Sequence, residues 1–305
     1  MNVVSRWRWV ILGGALACSR AQPAAVVPAD LPWASFRWVT AVYPDFRLER
    51  AAFVIPTPIG RSGRRSLLQL DLAASGNMPL GFPGPRGTPV TVREGRLHGL
   101  ASSAVALELA PSGSDTSRLS SNDEIGTMGQ PRFEYSPLLI DYRGEQVAMF
   151  SAGATLPPSL ESAARFIPLE SRADRYAFAL EMDGRAVGTV DLDTGLSPFP
   201  LWVTRALWAD LTGRTGSESD NLVRRLPSEG GELVMVGAPA ARSLRAGGVD
   251  LGKPVVWFLR DGPPGAALER WPWRVDGIAG NLLFADRFLV IVELGKKRLG
   301  LIRRN

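Results

Sequence analysis

Two well-separated passages of this chain follow one plan, and that internal repeat constrains the fold more than any other feature. Residues 52–75 form an apolar run, a Gly-rich turn at Gly60 to Gly63, a second apolar run, and then Leu70-Asp71-Leu72-Ala73-Ala74-Ser75. Residues 176–197 do the same through an Asp183-Gly184 turn, ending in Leu192-Asp193-Thr194-Gly195-Leu196-Ser197. Farther on, Gly126-Thr127-Met128-Gly129-Gln130-Pro131-Arg132-Phe133 aligns without gaps on Gly277-Ile278-Ala279-Gly280-Asn281-Leu282-Leu283-Phe284. Both are followed by an apolar run ending in an acid, Leu138-Leu139-Ile140-Asp141 and Val290-Ile291-Val292-Glu293, then a turn and a last apolar run. Each half thus carries an early Asp and a late Gly-containing hydrophobic motif. The expectation is a twofold protein with lobes at 32–151 and 165–305.

The local pattern says what the lobes are made of. Short β-like runs lie at 52–55, 67–70, 105–109, 138–142, 146–150, 177–181, 255–259 and 288–294, separated by turn signals such as Asp183-Gly184, Arg143-Gly144 and Leu294-Gly295. Only 201–211, whose apolar residues recur at three- and four-residue steps before Gly213, is expected to be a helix. Residues 111–124 read as a polar loop and 156–164 as a connector with a short helical turn. The fold class is mainly β. With 305 residues, 45% of them hydrophobic and 21% charged, the chain can bury a sizeable core. Its length exceeds the usual single domain, and the repeat favours one large β architecture in two halves.

The first residues read as an export signal: Arg6 and Arg8 are a basic head, 9–17 an apolar run too short to span a bilayer, and Ala15-Leu16-Ala17 a small-residue end. Cys18, the single cysteine, follows at once. Ala15-Leu16-Ala17-Cys18 fits a bacterial lipobox, with Cys18 lipidated, and it also fits ordinary signal cleavage. Residues 1–18 are the leader and 19–31, rich in Ala, Val and Pro, a tether. The expected location is exported, in the cell envelope, either lipid-anchored or periplasmic or secreted. Any membrane association is through Cys18 alone. Once Cys18 is lipidated or removed, the mature chain has no thiol, which excludes disulfides, Cys nucleophiles and zinc ribbons.

A net charge of +5 comes mostly from Arg, but the basic residues are not interleaved with aromatics, so no nucleic-acid partner is expected. Arg64-Arg65 and Lys296-Lys297 read as hairpin-tip charges. His98, the one histidine, sits in Arg96-Leu97-His98-Gly99 and reads as a satisfied residue at a strand end or turn. A Ser-His-Asp triad would depend on it, and no Gly-x-Ser-x-Gly elbow accompanies it. A multi-His metal site is excluded by count.

Asp193-Thr194-Gly195-Leu196-Ser197 follows the alternating Val190-Asp191-Leu192, and Asp276-Gly277-Ile278-Ala279-Gly280-Asn281 lies downstream, with a matching pattern in the other half. Together these make nearly the whole mature chain resemble the pepsin-like, bilobal aspartic proteases. The resemblance implies a two-lobed acid-protease β-barrel fold with an internal pseudo-twofold repeat. It implies Asp71 and Asp193 as the catalytic dyad, supported by Ser75, Thr194, Gly195 and Ser197. It further implies a peptide or unfolded-protein substrate, a monomer, and neither cofactor nor metal. Two carboxylates held face to face cannot both ionise cheaply, so they share a proton; one acts as base on a water while the other polarises the carbonyl. In that family the Thr hydroxyl bonds across the lobe interface, the Gly backbone bonds the carboxylate, and the Ser hydroxyl supports it from outside.

The first half departs from this pattern. Leu72 stands where the family has Thr and cannot make the cross-lobe hydroxyl bond, and Ala73 stands where it has Gly, where its methyl is expected to crowd the carboxylate turn. Thr127-Met128 replace the equivalent of Ile278-Ala279, and no Tyr occurs between Asp71 and Gly129 to serve as a flap residue. Two readings stay open: an exported aspartic-type endopeptidase or related hydrolase, and a non-catalytic pepsin-like module that binds a peptide, protein or glycan in the cell envelope. Asp191 and Asp193 alternate on one strand and face the same side, which also fits a carboxylate metal site, although such an Asp is ordinarily held by hydrogen bonds.

Overall fold

Hairpins come first. Arg175–Met182 and Arg185–Leu192 meet at Asp183-Gly184, where φ is 55° and 75°. Two consecutive positive φ values give the type I′ turn whose twist matches the strands it joins. In the other half, Arg47–Ile59 pairs antiparallel with both Arg37–Val42 and Arg64–Asp71. Phe53, Val54 and Ile55 are all buried, so both faces of that strand are covered. The computed structural model describes residues 31–42, 46–59, 64–74, 78–79, 124–130, 133–172, 175–196, 199–228, 231–263, 265–271 and 275–304. The leader with Cys18, nearly all of the tether, the Gly60 to Gly63 turn, Ser75, His98, the 105–109 run, residues 111–123 of the polar loop, and Ser197 lie outside the described residues.

Two sheets are built on one plan. The N-terminal sheet has the order Arg37–Val42, Arg47–Ile59, Arg64–Asp71, Glu124–Gly129, Met78–Pro79. In the ten-stranded C-terminal sheet the central order is Val255–Asp261, Leu201–Val203, Gly277–Ala279, Arg185–Leu192, Arg175–Met182. In each, the strand leading to the early Asp pairs parallel with the late Gly-containing strand, which takes an antiparallel partner on its other side. The register is the same: Leu70 lies opposite Met128 as Leu192 lies opposite Ala279. That is the register the gapless alignment predicts.

A third sheet joins the halves, in the order Trp33–Ser35, Gln146–Met149, Leu138–Asp141, Phe288–Glu293, Arg298–Arg303, Arg165–Pro168. Three strands come from each half, and the central antiparallel pair sets Leu138 opposite Val292 and Asp141 opposite Leu289. A twofold axis through the Leu139–Ile291 pair maps Leu138 onto Val290 and Asp141 onto Glu293. The two acids aligned by sequence, Asp141 and Glu293, are therefore equivalent, and each faces the next strand of its hairpin, at Gln146 and at Arg298. Their partners differ: Asp141 meets Arg304 and the Gly144 amide, while Glu293 meets Arg298 and Lys296.

One main core runs through both halves, from Phe53, Leu70 and Leu72 to Val190, Leu192 and Phe284. Each such large apolar side chain contributes roughly 1.5–3 kcal/mol on burial, so the halves are held as a unit by apolar contact. The exposed cross-half ion pair of Arg50 with Asp286 adds little beside that. The architecture is thus the mainly β, two-lobed, pseudo-twofold one that the resemblance implies. Its sheets are open paths, however, with no closed barrel among the described residues.

The expected 201–211 helix is corrected. Leu201–Val203 is a strand and the helix spans Arg205–Thr212. Leu201 and Val203 enter the main core while Trp202 packs on the opposite face with Ile278 and Trp257, so three successive apolar residues mimic helical spacing. Thr204 caps the helix by accepting from the Leu207 amide, and Gly213, at φ 70°, ends it. Arg64 and Glu124, read as turn and loop, begin strands; Lys296 and Lys297 do lie at a turn. The connector holds a short helix at Pro158–Ala163.

Candidate active site

Asp71 ends its strand and Asp193 directly follows Leu192, so each carboxylate stands where a sheet strand turns. Each turn folds back on its own Asp. Asp193 Oδ1 accepts the amides of Gly195 at 2.8 Å and Leu196 at 2.9 Å. Asp71 Oδ1 accepts those of Ala73 at 2.8 Å and Ala74 at 3.1 Å. The methyl of Ala73 does not break the turn it was expected to crowd, because the donors are backbone amides that any non-proline residue supplies.

The two turns meet across the lobe interface. Thr194 Oγ1, buried, accepts the Leu72 amide at 2.8 Å and donates to the Leu70 carbonyl at 3.0 Å, gripping the residues on either side of Asp71. Gln69 Nε2 donates to the Gly195 carbonyl at 3.1 Å. Gly195 abuts the Asp71 carboxylate so closely that a Cβ there would lie 2.6 Å from Asp71 Cγ. Leu72 cannot return the hydroxyl grip and is instead buried in the main core. The threonine-type hydroxyl grip is therefore one-sided, from Thr194 alone, and the first lobe answers only through the Gln69 amide.

A second layer supports the Asp193 turn. Asn281 Nδ2 donates to the Thr194 carbonyl at 2.6 Å, and its Oδ1 accepts from the Tyr142 hydroxyl at 2.6 Å. Tyr142 comes from the first half, stacked on Trp38 and edge-on to Phe36 and Phe53. Burial raises the Tyr142 hydroxyl far above its ordinary value, so it stays a proton donor. Tyr142→Phe is expected to cost about 1–2 kcal/mol in urea unfolding, since it deletes one buried hydrogen bond in this chain of three groups.

The electrostatics follow from the geometry. Desolvation and then the Asp71 charge push the Asp193 carboxyl up to about 7, against the pull of the Leu196 and Gly195 amides and of the Arg175 guanidinium. One carboxyl of the pair is thus held protonated at mildly acidic pH, as two facing carboxylates require. Asp191, one pleat away on the same side, is fully buried and likewise raised, to about 6, by burial against the pull of Arg175 and Arg172. Among the described residues, no group of three His, Cys, Asp or Glu is placed to hold a metal.

Of the residues singled out by sequence, Asp71, Asp193, Thr194 and Gly195 are brought together. Gln69, Tyr142 and Asn281 were given no role there. Gln69 was findable, since the repeat sets it two residues before Asp71 as Asp191 stands before Asp193. Tyr142 was not, because its bond depends on how the halves dock.

No family model matches the chain, and no curated protein matches it either. Among solved structures it is similar to an aspartic proteinase from Irpex lacteus, with 13% identity and a TM-score of 0.41, over 84% of this chain and 95% of that one. It is also similar to conglutin gamma from lupine seeds, with 10% identity and a TM-score of 0.46, over 90% and 95%. A third similar structure is basic 7S globulin from soybean, with 10% identity and a TM-score of 0.44, over 89% and 94%.

Proposed function

We propose that this chain is an exported aspartic-type endopeptidase, or a related hydrolase, that cuts an extended peptide at the junction of its two lobes. The observation that carries the reading is the pair of facing turns, one Asp from each lobe, with Asp193 held protonated by burial and by the charge of Asp71. In that arrangement ionised Asp71 takes a proton from an attacking water, while protonated Asp193 donates to the substrate carbonyl and stabilises the tetrahedral oxygen. As the carbonyl re-forms, Asp193, now ionised, takes a proton back from the gem-diol hydroxyl, and the proton held by Asp71 goes to the leaving amine. No cofactor enters these steps. Export and lipidation at Cys18 belong to the same proposal; a Cys18→Ser variant that leaves the membrane fraction supports the anchor.

The test uses protein beginning after Cys18, incubated with an unfolded protein substrate from acidic to neutral pH beside Asp193→Asn, with products read by mass spectrometry. Cleavage by the parent that falls at least about a thousandfold in the variant supports a working dyad. Absence of cleavage by well-folded parent at every pH sinks it. That outcome favours a second reading, a non-catalytic peptide-, protein- or glycan-binding module of the envelope, which rests on the one-sided grip that Leu72 leaves.

A further inference from the structure

The repeat sets Gln69 and Asp191 at matching places, each two residues before its aspartate, but their chemistry differs. Gln69 is neutral and spends its amide on the Gly195 carbonyl. Asp191 is a fully buried carboxylate, and neither of its oxygens has a hydrogen-bond partner among the described residues. Its neighbour is Arg175, 3.7 Å away, whose guanidinium also lies over the Trp271 ring. A buried carboxylate without hydrogen bonds is costly, and a stability role alone would be met as well by an apolar residue. Successive side chains on a strand alternate, so Asp191 and Asp193 project to one side, and the charge of Arg175 reaches both.

We propose that Asp191 and Arg175 form a charge pair beside the dyad that sets how readily Asp193 ionises, Arg175 favouring its anion and Asp191 tempering that pull. The pair exists in one lobe only. It therefore acts on one member of the dyad and not the other, and so adds to their asymmetry. Among the described residues, two further charged groups act here: Arg172, from the neighbouring Glu170–Arg172 strand, acts on Asp191, and Asp71 faces Asp193 from the first lobe. Asp276, before the parallel strand, is engaged by the Thr189 amide. Both residues are positioning residues, since their effect passes through Asp193.

The inference rests on Asp71 and Asp193 forming a dyad, but its test does not need catalysis. The Asp193 carboxyl carbon is titrated by NMR in protein beginning after Cys18, with its signal assigned by its loss in Asp193→Asn. Arg175→Gln is expected to raise the midpoint by about one pH unit, Asp191→Asn to lower it by a comparable amount, and Arg175→Lys to leave it near the parent value. A general packing lesion would not move the midpoint in opposite directions. Unchanged midpoints, or shifts of the same sign in Arg175→Gln and Asp191→Asn, overturn the proposal. If Asp191→Asn fails to fold, the contrast of Arg175→Gln with Arg175→Lys decides it. Opposed shifts without any cleavage by the parent leave the charge pair standing and remove the peptidase reading; cleavage with immobile midpoints does the reverse.

Discussion

Gly195→Ala is expected to lower peptide cleavage by about a hundredfold or more, although it adds only one methyl. The new carbon would sit 2.6 Å from Cγ and from Oδ2 of Asp71, well inside contact distance. Gly195 cannot retreat, since its amide is tied to Asp193 Oδ1 and its carbonyl to Gln69 Nε2. Asp71 must then rotate away from the Ala73 and Ala74 amides that orient it. A displacement of about 1 Å at a reacting group costs on the order of a hundredfold in rate. Overpacking of this kind also costs about 1–3 kcal/mol of stability, which urea unfolding reads independently of catalysis. A variant that cleaves like the parent would mean that the two turns do not approach as described.

The second large effect is on stability against pH. Asp193 and Asp191 are raised in the folded state, to about 7 and about 6, because burial disfavours their charged forms. Between about pH 4 and pH 7 the folded protein therefore holds protons that the unfolded chain releases, and stability falls as pH rises through that window. Thermal unfolding should show a higher midpoint at pH 5 than at pH 7.5. Asp193→Asn keeps an oxygen for the Gly195 and Leu196 amides but removes the buried charge. It should gain stability on the order of 2–3 kcal/mol at pH 7.5, gain little at pH 5, and flatten the profile. A profile as steep as the parent's would show that Asp193 is not the group responsible.

The lobes were legible in sequence because an internal repeat leaves its mark on residues that need no partner to be recognised: Asp71 and Asp193, and the run from Gly126 with its match from Gly277. Their parallel pairing follows in the same register in both halves. The strand at Leu201–Val203 was hidden, since its apolar residues serve two faces and periodicity alone does not separate that from a helix. The hairpins between Leu222 and Gly252 were likewise not singled out; Leu222 and Val223 stay exposed, which weakens the alternation that marks a strand. At the site, the sequence-based reading took Ala73 as damage, whereas its amide is all the Asp71 turn uses. The loss at Leu72 was read correctly as a missing hydroxyl, but not that the residue would be drawn into the core. Cross-lobe bonds such as Tyr142 to Asn281 depend on docking, and no local pattern announces them.

The central claim is that folding brings one aspartate from each lobe face to face. The most direct measurement is the NMR titration of the Asp193 carboxyl in the parent and in Asp71→Asn. If the two groups face each other, removing the Asp71 charge removes the repulsion that opposes ionisation of Asp193, and its midpoint falls clearly below the parent's while desolvation keeps it above an ordinary Asp. An Asp193 midpoint that does not move when Asp71 loses its charge would contradict the dyad.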